Sequence, residues 1–168
     1  QRSEARDRAA GWLKQVGRFD DVDVYEVQAV QPLRAIRLEF DGPIEGTGWH
    51  RAEVREGGRS FAWTAAETAT IDLLLQADRD LDIVFVTNAG VSPTIPESLT
   101  LSVNSQPIPL RRTREEGNYR YAGVVPQALL DPNEGLVHLE FRTAPPISPA
   151  SLGRGSKDKR ELGLAFDW

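Results

Sequence analysis

The chain has 168 residues, of which 40% are hydrophobic and 27% are charged, as in an ordinary globular protein. Its formal net charge of -5 argues against a general nucleic-acid binder, which needs a basic stripe to neutralise phosphates. The absence of cysteine excludes disulfides and thiolate metal sites. The sequence contains no apolar run of about 18 residues, so it predicts no membrane span within these residues.

The chain contains no methionine and begins abruptly in a charged segment without the pattern of a signal peptide. We therefore expect a piece excised from a longer protein. The missing part could include membrane spans.

A helix-strand lead-in is predicted over residues 1–30, followed by a main domain over residues 31–168. Ser3 is a suitable N-cap, and Gly17 is a suitable stop for a helix over residues 3–17. A short strand follows at residues 22–27, where valines alternate with polar residues. The apolar stripe of the helix comprises Ala5, Ala9, Trp12, Leu13 and Val16.

From residue 33 onward the apolar residues recur with period two. The runs are Ile36, Leu38 and Phe40; Ile71, Leu73 and Leu75; Leu81, Ile83 and Phe85; Leu99, Leu101 and Val103; residues 119–125; Val137, Leu139 and Phe141; and Leu162, Leu164 and Phe166. About nine or ten strands without crossover helices favour an all-β, antiparallel β-sandwich of jelly-roll type, with a closed barrel as the alternative. Residues 126–130 predict a single helical turn.

Residues 48–64 predict the hairpin around which the domain is organised. A two-residue Gly57–Gly58 turn sets Val54 opposite Phe61 and Ala52 opposite Trp63. Those four residues then form the apolar face of the hairpin. The other face presents Trp49, Arg51, Glu53 and Thr64.

A second hairpin is predicted around a Ser105–Gln106 turn, which sets Val103 opposite Ile108. The prolines at positions 107 and 109 cannot donate ladder hydrogen bonds, so the returning strand belongs at a sheet edge.

Enzyme motifs are absent from the sequence. There is no nucleophile elbow, Walker loop, dinucleotide fingerprint or His-Glu-x-x-His pair. His138 is expected on a solvated strand face, and His50 in a structural role. The carboxylates Glu53, Glu56, Asp158 and Asp167 each have an arginine within a few residues, which favours ion pairing over acid-base chemistry. We expect no catalytic residue, no cofactor and no metal ligand.

Sugar binding is the functional hypothesis that the residues favour. Aromatic rings stack on the C–H faces of a pyranose, while arginine and glutamate side chains supply orienting hydrogen bonds. Trp49, Arg51 and Glu53 on the mixed hairpin face fit this description, and Tyr119 offers a second platform. The alternative for Trp49 is packing in the core or in an interface.

The order of several short motifs resembles β-sandwich domains attached to bacterial multi-spanning membrane glycosyltransferases and related polysaccharide-assembly proteins. The motifs are Gly48-Trp49 with Glu53, Gly57-Gly58-Arg59, Phe61-Ala62-Trp63-Thr64, Val103-Asn104, the Val-Pro ending at Pro126, and residues 155–163 before the last strand. The last block is similar to a recurring Ser-x-Asp-x-Arg-x-Leu-Gly pattern.

The resemblance implies an extracytoplasmic, carbohydrate-binding-like module whose partners are glycan and the membrane domain of its own parent chain. The resemblance implies no catalytic residue in this sequence. The alternative is a protein interaction or scaffolding domain of an envelope complex without sugar binding. Within the last block, Asp158 and Arg160 are expected to clamp the long connection, and Gly163 to permit close approach of two strands.

Overall fold

A computed structural model describes residues 13–19, 22–27, 37–55, 57–75, 77–88, 90–130, 135–153 and 155–167. The chain divides into two compact units, Gln1–Pro32 and Leu33–Trp168. No helix of the described part is long and apolar enough to cross a membrane.

The first unit contains an antiparallel hairpin of β1 (Leu13–Phe19) and β2 (Val22–Val27). The strand predicted over residues 22–27 is thus confirmed. The helix predicted to end at Gly17 is wrong for residues 13–17, which lie in β1, and its part before residue 13 lies outside the described residues. Backbone pairing with β2 overrides the local helical pattern, and Gly17 follows a register shift in the ladder instead of capping a helix.

The second unit is a sandwich of two antiparallel sheets, as predicted. Its strands are β3 (Glu53–Val54), β4 (Ser60–Trp63), β5 (Thr68–Leu74), β6 (Leu81–Thr87), β7 (Thr100–Val103), β8 (Gln106–Ile108), β9 (Arg111–Glu115), β10 (Asn118–Val125), β11 (Leu136–Arg142) and β12 (Ala165–Asp167). The six-stranded sheet has the order β3-β4-β12-β6-β10-β9, and the four-stranded sheet has the order β5-β11-β7-β8.

The core between the sheets is built around aromatic rings. Phe85 of β6 and Phe166 of β12 come from the six-stranded sheet, and Phe141 of β11 comes from the four-stranded sheet. The ring centroids of Phe141 and Phe166 are 5.0 Å apart, and those of Phe85 and Phe141 are 5.4 Å apart. Such pairs add about 0.5–1.5 kcal/mol each beyond the burial of their area, so this cluster ties one sheet to the other.

Several local expectations hold and others do not. Gln127–Leu129 forms the predicted helical turn, and β8 lies at a sheet edge with Pro107 in it. Phe40 is buried, but the described residues next to it, 37–43, form no strand, and Ile36 of the predicted run lies outside the described residues. The sequence did not predict the short helix α1 (Thr94–Ser98) or the edge strand β9.

Candidate functional site

The hairpin of β3 and β4 forms with a register that differs by one residue from the predicted one. Glu53 lies opposite Phe61 and Val54 opposite Ser60. The Arg55 N–H donates to the carbonyl of Arg59 at 2.9 Å, so Arg55 pairs with Arg59 and not with Ser60 as expected. Since side chains alternate between faces, a shift of one residue changes which side chains share a face.

The register shift exchanges the predicted positions of two tryptophans. Ala62 of β4 has no exposed surface and belongs to the core between the sheets. Phe61 and Trp63 alternate with Ala62, so they lie on the outer face of the six-stranded sheet, together with Glu53. Trp49, which was expected on the mixed face, packs against the core instead.

The predicted orientation of Trp49 is therefore wrong. Its ring centroid lies 5.1 Å from that of Phe166 and 5.7 Å from that of Phe40. Its indole N–H donates to the carbonyl of Thr70 at 2.7 Å. Trp49 is half-buried and lines a surface groove, but its packed ring and occupied donor make it a weaker stacking surface than expected.

Trp63 has the features that were expected of Trp49. It is half-buried, lies outside the core cluster, and packs edge-to-face on Phe61 at 6.4 Å between centroids. Its indole N–H has no hydrogen-bond partner among the described residues. A tryptophan with this placement offers both an apolar surface and a donor to a ligand.

A charged loop is clamped beside this outer face, as the sequence predicted for Asp158 and Arg160. The guanidinium of Arg160 donates to both carboxylate oxygens of Asp158, at 2.8 Å from Nη2 to Oδ2 and 3.1 Å from Nε to Oδ1. Its Nη1 donates to Glu53 Oε1 at 2.7 Å. The backbone N–H of Arg160 also donates to Asp158 Oδ1 at 3.0 Å. We call Glu53, Phe61, Trp63, Asp158 and Arg160 the outer-face cluster.

The hydrogen bonds of Arg160 determine the charge state of this cluster. Hydrogen bonds from its side chain and backbone lower the pKa of Asp158 to about 2, and the pKa of Arg160 is raised by Asp158 and Glu53. Asp158 therefore remains ionised at neutral pH. Paired and ionised carboxylates can accept hydrogen bonds from a ligand, but they are not poised to donate a proton to a leaving group.

The segment that follows Arg160 is fixed to the end of β4. The backbone N–H of Gly163 donates to the carbonyl of Thr64 at 2.9 Å, and the N–H of Leu164 donates to Thr64 Oγ1 at 2.9 Å. A Cβ on Gly163 would lie 2.1 Å from Thr64 Oγ1. The predicted close approach at Gly163 is thus confirmed.

His50 holds the same segment from the other side. Its Nε2 lies 2.7 Å from the carbonyl oxygen of Glu161, and its backbone N–H donates to the carbonyl of Trp63 at 2.8 Å. These contacts give His50 the structural role that the sequence predicted, and they place the charged loop next to the strand that carries Trp63.

The remaining predicted site residues do not join one site. Arg51 is exposed, and it lines a surface groove of about 600 Å³ together with Trp49 and His50. Tyr119 lies on β10, three strands away from β4 in the six-stranded sheet, and its side chain is 8% exposed. The structure thus brings Glu53 to the outer-face cluster, leaves Arg51 beside it in sequence, and separates Tyr119 from both.

Sequence reasoning missed Trp63 as a surface residue. The only signal that could have found it was the number of residues in the connection, and Glu56-Gly57-Gly58 is compatible with a connection of either two or three residues.

The second histidine lies on the other sheet. His138 lies on the outer face of the four-stranded sheet, with Nδ1 2.6 Å from Asp72 Oδ1. Within the described ranges no three acidic or histidine side chains are grouped so that they could hold a metal ion.

Comparison of the chain with protein-family models, with curated proteins and with solved structures finds no match.

Proposed function

We propose that the Leu33–Trp168 unit is a non-catalytic, extracytoplasmic glycan-binding module of a bacterial envelope protein, and that it holds or orients glycan for an attached membrane glycosyltransferase. The observation that carries the proposal is the half-buried Trp63 on the outer face of the six-stranded sheet, beside the paired Glu53 and Arg160.

The chemistry of the outer-face cluster suits a sugar ring. The indole of Trp63 stacks on the apolar face of a pyranose, and its N–H is available for a hydroxyl. The carboxylates of Glu53 and Asp158 accept hydrogen bonds from hydroxyl groups, and the guanidinium of Arg160 is already held by both carboxylates. A preorganised polar rim of this kind fixes the orientation of a ligand at low entropic cost.

The charge states support binding over hydrolysis. A glycosidase needs one carboxyl group that is protonated near neutral pH. The low pKa of Asp158 favours its ionised form, and Glu53 is engaged by the guanidinium of Arg160 at 2.7 Å. The module is accordingly assigned no reaction of its own.

Tryptophan fluorescence during titration with neutral oligosaccharide fragments of envelope polysaccharides tests the proposal. The chain has four tryptophans, so the matched variants are Trp63→Phe and Trp49→Phe. We expect the ligand-induced change in emission to persist in Trp49→Phe and to disappear in Trp63→Phe. Calorimetry should show weaker binding for Trp63→Ala.

Trp49→Ala is a poor test of binding, because removal of a large core ring costs about 3–5 kcal/mol of stability. Binding that survives in Trp63→Ala at unchanged affinity would contradict the proposed site. No binding of any fragment to the folded wild-type unit would contradict the proposed function.

A docking role in an envelope complex is the second candidate. Leu74 and Leu136 lie opposite each other at one end of the four-stranded sheet and are 59% and 47% exposed. Exposed apolar neighbours of this kind favour a protein partner over solvent. Retention of partner capture in Trp63→Ala, with loss in Leu74→Ser/Leu136→Ser, would favour this role.

A further inference from the structure

The β9–β10 hairpin concentrates positive charge at one edge of the six-stranded sheet. Arg111, Arg112 and Arg114 lie on β9, and Arg120 lies on β10. None of the four forms an ion pair with a carboxylate of the described residues. Arg37, Arg55, Arg79, Arg142 and Arg160 each pair with a carboxylate, whereas among the other described arginines Arg51 and Arg59 also form no ion pair but are not grouped with a second arginine on one ring. In a chain with net charge -5, unpaired arginines grouped in this way call for an explanation.

Two of these arginines are held in place by one aromatic ring. The guanidinium carbon of Arg112 lies 5.5 Å from the ring centroid of Tyr119, and that of Arg114 lies 5.7 Å from it. These distances place the two cations within about 11 Å of each other. Arg112 Nη1 also donates to the carbonyl of Pro96 at 3.1 Å. Because the cation–π contact restricts both side chains, and the hydrogen bond further restricts Arg112, less entropy is lost when they bind an anion.

The ladder separates this pair from the other two arginines. Arg112 lies opposite Tyr121 and Arg114 opposite Tyr119, on the side of the sheet that faces the core. Arg111 and Arg120 project from the other side, since Arg111 lies opposite Ala122 and Arg120 opposite Thr113. The hairpin therefore carries two pairs of equal charge on opposite sides of the sheet, and the Arg112–Arg114 pair is the one that contacts the ring of Tyr119.

We infer that Arg112 and Arg114, seated on Tyr119, form a subsite for the oxyanion groups of an acidic glycan. The inference rests on the proposed function for the class of ligand, because the pair itself specifies only an oxyanion. Arginine recognises a carboxylate or a phosphate through parallel N–H donors, and two guanidinium groups within about 11 Å of each other match a polymer that carries anionic groups on neighbouring sugars.

The experiment is a heteronuclear NMR titration of the folded chain with hexagalacturonate, its fully methyl-esterified form and inorganic phosphate. We expect hexagalacturonate to shift the amides of β9 and β10, and the neutral ester to leave them unchanged. Arg112→Gln/Arg114→Gln should weaken the binding of hexagalacturonate about tenfold or more, as expected when charge-assisted hydrogen bonds are lost. The matched control, Arg111→Gln/Arg120→Gln, removes the same charge and should weaken it by less than about threefold.

Equal weakening by the two double variants would overturn the inference, because binding would then follow net charge alone. If inorganic phosphate binds to the hairpin as tightly as hexagalacturonate, the assignment of the ligand as an acidic glycan is overturned.

The two proposals fail separately. The binding of neutral fragments at Trp63 is expected to persist in Arg112→Gln/Arg114→Gln. Absence of hexagalacturonate binding at the hairpin, with neutral binding intact at Trp63, would overturn only the subsite. Binding at the hairpin in a chain whose Trp63→Ala variant binds neutral fragments normally would contradict only the outer-face site.

Discussion

Gly163→Ala is expected to be among the most damaging single-methyl additions in this chain. The added Cβ would lie 2.1 Å from Thr64 Oγ1 and 3.3 Å from the carbonyl oxygen of Thr64. Gly163 lies outside the left-handed region, so an alanine meets no backbone strain there and the effect is steric. The hydroxyl of Thr64, which is 1% exposed, must move or the strands must separate.

The magnitude follows from the groups that are displaced. Movement of Thr64 Oγ1 leaves the N–H of Leu164 without its acceptor, and Leu164 has no exposed surface. A buried donor without a partner costs about 1–3 kcal/mol. Overpacking by one methyl group costs a further ~1–3 kcal/mol. We therefore expect Gly163→Ala to lower the free energy of unfolding by about 2–6 kcal/mol, a large share of the 5–15 kcal/mol that is typical of domains.

Urea unfolding of a double-mutant cycle measures this effect. Thr64→Ala alone should cost about 1–3 kcal/mol, and Thr64→Ala/Gly163→Ala should cost little more, since the colliding oxygen is gone. Gly42→Ala is the control, because nothing lies within 4 Å of the site of its Cβ and its φ is ordinary. Additive costs in the double variant, or a Gly163→Ala as mild as Gly42→Ala, would refute the reasoning.

Three further predictions concern ionisation and packing. The carboxyl carbon of Asp158 should titrate near pH 2 by NMR and return toward 3.8 in Arg160→Gln; its stabilising effect is complete above about pH 4 and is lost as the pH falls to 2. Burial raises the pKa of Tyr121 from 10.0 to about 12, so the contribution of the neutral side chain to folding stability is lost as the pH rises between those values. Tyr121→Phe should remove the late step of tyrosine ionisation in the absorbance at alkaline pH. Trp49→Phe should lower the free energy of unfolding by about 1–3 kcal/mol, because the bond to Thr70 is lost, and a shift in the urea midpoint with no change in slope measures this.

Period two was sufficient to predict the sandwich, because burial of one face of each strand enforces the alternation. The apolar positions of β5, β6 and β11 were read correctly from it, whereas Tyr119 of β10, expected as a ligand platform, belongs to the core. The registers in which the strands pair were harder to predict. The β7–β8 hairpin turns at Asn104–Ser105, so that Val103 lies opposite Gln106 and Leu101 opposite Ile108. That register differs by two residues from the predicted one, so every side chain keeps its face and the error does not affect the core.

An error of one residue in the β3–β4 hairpin has the opposite effect. The predicted register placed Trp63 in the core and Trp49 at the surface. In the structure Trp63 lies on the outer face and Trp49 packs against the core, so the candidate site changed. The ion pairs of Asp158 were predictable because Arg160 is two residues away. The strand β9 was not predictable, since an edge strand that carries three arginines and a glutamate shows no apolar alternation.

The position of β12 in the six-stranded sheet constrains how this unit is made in a cell. Residues 165–167 join the β3–β4 ribbon to β6, β10 and β9, yet they are the last described strand to leave the ribosome. Until they emerge, the sheet exists as two separate pieces with open inner edges. Because strands so distant in sequence must meet before their contacts stabilise the sheet, we expect folding to be slow and to finish only after translation of the unit is complete.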